Sequence, residues 1–191
     1  MRIELQPSDA LIVVDVQNDF CPGGALPAPG GDRVVPVLNR WIETAGRAGA
    51  AVFASRDWHP EEHCSFELQG GPWPPHCIQE SEGARFHPKL KLPESAVIVS
   101  KGSDPKREAY SAFEGTDLST LLRAARRRRL WIGGLALDYC VKATALDARR
   151  EGFEVHLIES ATRAVNVGPG DAEKALEQMR QAGVHMESGA P

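Results

Sequence analysis

One thiol in this chain stands at a junction. In "GLALDYCVKATALDARREG" (residues 134–152), Cys140 falls where an apolar run gives way to helical periodicity. A cysteine in the first turn of a helix meets backbone N–H groups and the positive end of the helix dipole, both of which stabilise a thiolate. Two other residues suit the same chemistry. Lys101, in "IVSKGSDP", supplies positive charge, and Asp15, in "VVDVQNDF", is a carboxylate able to take the thiol proton. Each has a plainer reading: most buried cysteines are small hydrophobes, and an aspartate at a strand end can cap a helix or pair with a lysine. The plain readings taken together require three coincidences.

A second constellation lies in "SRDWHPEEH" and "WPPHC". Asp57 and His59, two apart on an extended segment, point to the same side, as ligands of one metal should. His63 follows, and His76 comes from the second stretch. One carboxylate and up to three imidazoles suit a borderline divalent ion such as Zn²⁺, Fe²⁺ or Mn²⁺, with positions left open for water or substrate. His63 also fits an ordinary surface loop. Cys64 and Cys77 adjoin these residues, but the carboxylate makes a Cys/His structural zinc knot less attractive. His87, His156 and His185 lack such company and read as structural or exposed.

The elements that would hold these residues alternate along the chain. Apolar runs at 10–16, 50–55, 95–100, 130–136 and 153–160 read as strands, and "VHMES" (184–188) as an edge strand. "ALIVVDV" has the continuous apolar character of a strand buried on both faces. Between the runs, residues at helical spacing predict four helices: from Val34 to a cap at Gly49, from Leu118 with Asp117 as N-cap, from Val141 to Gly152, and from Ala172 to Gly183. This rhythm predicts an α/β fold, a parallel sheet between helices on both faces. Residues 56–94 break it, with six prolines and little periodicity. So long a loop inside a compact domain is usually functional. In such sheets ligands bind beyond the carboxyl ends of the strands. Those ends carry Asp15, then Asp57, His59 and His63, then Lys101, Cys140 and Glu159.

Bulk properties narrow the class. A chain of 191 residues fits one domain with one sizeable core. A net charge of −4 supplies no basic field for nucleic acid, and "ARRRRL" (125–130) reads as cations at a helix C-terminus. The N-terminus reaches acidic residues too early for a secretory signal, and no apolar run is long enough to span a bilayer. Four scattered cysteines suit a reduced cytoplasm. None of this fixes an oligomeric state, and a homo-oligomer stays open.

The segments "DVQNDFCPGGALP", "SRDWHPEEHCSF", "GGPWPPHCIQ", "SKG", "EAYSAFEGTDL" and "GLALDYCVKATALDA" occur in the order found in a known family. Over residues 8–186 the chain resembles the nicotinamidases of the isochorismatase-like cysteine hydrolase superfamily. The resemblance implies a three-layer αβα fold with a mostly parallel six-stranded sheet, formed by a single domain with the metal-site loop at about 56–94. It also implies hydrolysis of nicotinamide to nicotinate and ammonia through a thioester, as part of NAD salvage, with pyrazinamide as a related substrate. Asp15, Lys101 and Cys140 match the family's catalytic triad. Asp57, His59 and His76 match its metal ligands, with zinc the first expectation, and His63 matches a histidine that approaches the metal directly or through water. A cis peptide is implied at Leu135–Ala136, with the Ala136 and Cys140 N–H groups as oxyanion hole. Phe20, Leu26, Trp73, Tyr110 and Tyr139 match the ring pocket. Two other classes remain beside this one: a metallohydrolase whose metal-bound water attacks, and a metal-stabilised binding module. Within the superfamily, another small amide is the alternative substrate.

Overall fold

The apolar runs form one sheet. In the computed structural model, which describes residues 4–191, the strands are β1 (Asp9–Val14), β2 (Ala51–Asp57), β3 (Val97–Lys101), β4 (Arg129–Leu135), β5 (Glu154–Arg163) and β6 (His185–Glu187). All pairings are parallel, in the order β3-β2-β1-β4-β5-β6. The helices are α1 (Val34–Ala48), α2 (Leu118–Ala124), α3 (Lys142–Arg150) and α4 (Asp171–Gln181). The strand order reverses between β1 and β4, and a sheet of this kind opens its crevice at that point, outside the strand ends.

Alternate residues of each central strand face opposite layers. Leu11 and Val13 of β1 and Trp131 of β4 pack under α1, against Leu38, Trp41 and Ala45. The Trp41 and Trp131 rings lie 5.2 Å apart, centroid to centroid. Ile12, Val14, Leu130 and Ile132 face the other layer, against Leu118 and Leu122 of α2, Ala145 and Ala148 of α3 and Met179 of α4. Burial on both sides explains why these strands show as unbroken apolar runs. Gly49 ends α1 in the left-handed region, φ +71°, as its position predicts.

Two expectations change. Asp117 makes no side-chain cap on α2. Thr116 acts there instead: its hydroxyl oxygen accepts from the Leu118 N–H at 3.2 Å while its proton goes to the Ala112 carbonyl at 2.5 Å. Cys140 lies not in the first turn of an α-helix but in a π-helical turn, Leu137–Val141, that precedes α3. Residues 58–96 contain a single short 3₁₀ turn, Glu67–Gln69, and are fastened by isolated bridges, among them His59 to Ile78 and Phe66 to Trp73. This loop lies across the carboxyl ends of β1 and β2.

Candidate active site

The ends of four adjacent strands converge on one ammonium group. Lys101 is the last residue of β3 and pairs in register with Asp57, the last of β2. Its side chain is fully buried. Nζ contacts Asp57 Oδ1, lies 2.9 Å from Asp15 Oδ2 and donates to the Ala109 carbonyl at 3.2 Å and to Cys140 Sγ at 3.4 Å. Asp15 follows β1 with φ +47°. Its Oδ1 accepts from the Ser55 hydroxyl at 2.7 Å. Its Oδ2 takes no other hydrogen bond among the described residues. A carboxylate oxygen of Asp15 lies within 4.8 Å of Cys140 Sγ.

Gln17, which sequence reasoning left without a role, fixes the neighbouring carboxylate from behind. Its amide donates to the Asp57 carbonyl and accepts from the Asp57 N–H, both at 2.8 Å, and donates to the Ala84 carbonyl at the same distance. Asp57 is thus set by its backbone, not by the flexibility of its own side chain.

Charge and burial compete throughout this cluster. Burial opposes the Lys101 ammonium, but Asp15 and Asp57 outweigh it and hold its pKa well above the usual lysine value. Burial likewise opposes the Asp57 carboxylate, yet Lys101 and His59 bring it well below the ordinary range. For Asp15 burial wins over Lys101 and the pKa rises. Burial raises the Cys140 pKa far above that of a free thiol; Lys101 opposes the rise, and Asp15 and Asp57 add to it. Burial thus works against a thiolate at Cys140, and the Asp15 carboxylate beside it is placed to take the thiol proton.

Beside this cluster, Asp57, His59 and His76 each offer one donor atom, all within 4.8 Å of one another. His59 Nδ1 bonds the Gly102 carbonyl at 2.9 Å and His76 Nδ1 bonds the Pro74 carbonyl at 2.8 Å. A carbonyl partner requires N–H at Nδ1, so in both rings the Nε2 lone pair faces Asp57 Oδ2, at 3.5 and 3.9 Å. Two oriented imidazoles and a carboxylate with a backbone outer shell fit a zinc-type divalent ion. Gly102, at φ +64°, makes the His59 geometry possible: a Cβ there would stand 2.4 Å from His59 Cε1.

His63 does not join this donor set. Its Nε2 bonds the Arg107 carbonyl at 3.1 Å and its Nδ1 meets the Ser65 hydroxyl at 2.7 Å, so neither nitrogen has a lone pair to spare. The ring instead lies against His59, 4.1 Å between centroids. His63, expected to approach the metal directly or through water, thus stands beside the donor set with both nitrogens engaged.

The cavity over Cys140 is lined by Phe20, Leu26, Trp73, Tyr110 and Tyr139, with Asp57, His76, Ala136 and Val165. The Trp73 indole N–H donates to the Tyr110 oxygen at 2.9 Å, and Tyr139 stands edge-on to Trp73 at 5.0 Å. The Leu135–Ala136 peptide is cis. Val165 carries no sequence signal; it comes from the connection after β5. Asp138, 4% exposed, holds it in place by accepting the Val165 and Asn166 N–H groups at 3.0 and 2.8 Å. Asn166 sits in the left-handed region, φ +53°.

Residues 9–190 match the model of the isochorismatase domain. The chain is 43% identical to the nicotinamidase of Escherichia coli, over 93% of each sequence. Its fold superimposes on a pyrazinamidase of Pyrococcus horikoshii solved in complex with zinc, with a TM-score of 0.92 and 51% identity over 96% of this chain and 100% of the other. It also superimposes on PnC1 from L. infantum in complex with nicotinate, with a TM-score of 0.89 and 36% identity over 98% and 96%.

Gly102→Ala is expected to push the His59 ring out of line and weaken zinc binding by about 10–100-fold, the usual cost of disturbing an outer-shell contact, measured by competition with a chromogenic chelator. Asp138→Asn replaces one of two acceptors by a donor. Hydrogen exchange at the Val165 and Asn166 amides should then accelerate by about ten-fold or more, while exchange in β1 stays unchanged.

Proposed function

The chain belongs to the isochorismatase domain family, and from that premise we propose that it hydrolyses nicotinamide to nicotinate and ammonia, with Cys140 as nucleophile. The observation that carries this reading is the contact of one buried ammonium, Lys101, with Asp57 and Cys140 Sγ, 2.9 Å from Asp15, under an aromatic cavity. The relatives named as nicotinamidases and the neighbour holding nicotinate support the substrate.

Asp57, His59 Nε2 and His76 Nε2 would hold the metal, with zinc favoured by the P. horikoshii neighbour over iron or manganese. Such an ion supplies a Lewis-acid position for an aromatic ring nitrogen, which sets the orientation of the carboxamide. Phe20, Trp73, Tyr110 and Tyr139 flank the ring and exclude water.

The Asp15 carboxylate takes the thiol proton as sulfur bonds to the amide carbon. The N–H groups of Ala136 and Cys140 receive the charge that develops on oxygen. Asp15 passes its proton to the amide nitrogen, the C–N bond breaks and ammonia leaves. Water then attacks the thioester carbonyl with Asp15 as base, the C–S bond breaks and the proton returns to sulfur. Lys101 stays charged throughout and offsets the negative charge that moves between Asp15 and Cys140. The product feeds pyridine nucleotide salvage, and a cytoplasmic site of action is in keeping with four unpaired cysteines and with no helix among the described residues long and apolar enough to cross a membrane.

Cys140→Ala should still bind nicotinamide in calorimetry while ammonia release falls by about 10⁴-fold or more; near-parental release would move the reaction to a metal-bound water. Acid quench of the parent enzyme should leave a nicotinoyl adduct on Cys140. A second test concerns pH. The Ser55 hydroxyl stabilises the Asp15 carboxylate, whose pKa burial already raises. A base must be deprotonated to act, so activity falls as pH drops through that pKa. Ser55→Ala removes the stabilising bond, raises the pKa further and should move the acid limb of kcat/KM to higher pH by up to about one unit; Ser55→Thr should restore it.

A further inference from the structure

Four side chains of β5 and β6 gather away from the crevice over Cys140. His156 of β5 and His185 of β6 are direct partners in the parallel register. Glu154 precedes His156 by two residues and Glu187 follows His185 by two, so all four occupy one face. Trp131, buried on β4, backs the group and stacks on His156 at 4.3 Å and 24°. His156 in turn stacks on His185 at 4.8 Å and 25°.

The His156 ring stands between two carboxylates. Its Nδ1 lies 2.7 Å from Glu187 Oε1 and its Nε2 lies 2.9 Å from Glu154 Oε1. A neutral imidazole has one N–H and one lone pair. It can satisfy one of these carboxylates and must turn its lone pair on the other. A divalent ion seated between the second nitrogen and its carboxylate would join the two. A metal has what it needs here, because Glu154, His156 and His185 each offer a donor atom and these atoms lie within 4.8 Å of one another.

We propose that Glu154, His156 and His185 bind a second divalent ion of the zinc class, with Glu187 as the outer partner that fixes Nδ1–H on His156. Two imidazoles and one carboxylate are a zinc donor set, and a carboxylate behind the ligating ring is the usual orienting contact. The exposed His185 ring turns out of its stack to complete the set. β6 has three residues and ends close to the C-terminus. The ion therefore clips this short edge strand to β5, and it stabilises the folded chain by binding it in preference to the unfolded one. The site is independent of the reaction proposed above.

The test uses full-length, tag-free protein stripped with chelator and dialysed against Zn²⁺, with bound metal counted by mass spectrometry. The parent should take up two equivalents, His185→Ala one, His76→Ala one and the double variant none. In the His76→Ala protein, Co²⁺ should give ligand-field absorption and Zn²⁺ should raise Tm, and both effects should vanish when His185→Ala is added. Equal uptake by the parent and by His185→Ala overturns the proposal. So does an equivalent bound by the His76→Ala protein that gives no ligand-field band with Co²⁺. Loss of the crevice metal on His76→Ala is read separately, so failure of the catalytic metal centre and failure of this site are distinguishable.

Discussion

The structure turns on one ammonium group out of reach of water. Lys101 cannot be buried alone, since an unpaired charge in the interior costs several kcal/mol even after relaxation. Asp15 and Asp57 flank it, and its position then dictates theirs. The trio carries two negative charges against one positive, so the cluster retains a net negative charge. That surplus suits a divalent ion at Asp57, and it adds to the burial that raises the pKa of the neighbouring thiol. One electrostatic knot thus joins the residues proposed as nucleophile, base and metal ligand, Cys140, Asp15 and Asp57, through Lys101.

Topology makes the knot possible. Asp15, Asp57, Lys101 and Cys140 follow or terminate β1, β2, β3 and β4, which are neighbours in the sheet. Parallel strands deliver all their carboxyl ends to one side, and the reversal of strand order between β1 and β4 leaves room there. The cluster needs no loop flexibility to assemble. The loop over residues 58–96 adds what the strands cannot, His76 and Trp73, while the Gln17 side chain ties that loop to β2 through the Asp57 and Ala84 carbonyls.

Much of this was legible in the sequence, for a physical reason. Strands buried on both faces are apolar throughout, so a charged or thiol residue at their ends stands out; Asp15, Lys101 and Cys140 were found that way. Asp57 and His59 were readable from the two-residue period of an extended segment. His76 depended on its motif, because a loop position has no periodic signal. Gln17, Gly102, Asp138 and Val165 were missed because they act through backbone hydrogen bonds or by lacking a side chain, neither of which marks a sequence. Dipole reasoning at Cys140 counts the helix and leaves out burial, which opposes a thiolate there. The contacts of His63 are not legible at all, because composition cannot show that the Arg107 carbonyl and Ser65 occupy both its nitrogens.

The cavity wall is assembled differently from the groups it encloses. Phe20 and Leu26 come from the segment after β1, Trp73 from the long loop, Tyr110 from the segment after β3, Tyr139 from the π turn and Val165 from the segment after β5. Chemistry is written into the scaffold, while selectivity is distributed over five separate connections. Such a division lets lineages exchange wall residues one at a time and change which amides they consume, without any interval in which bond cleavage is lost.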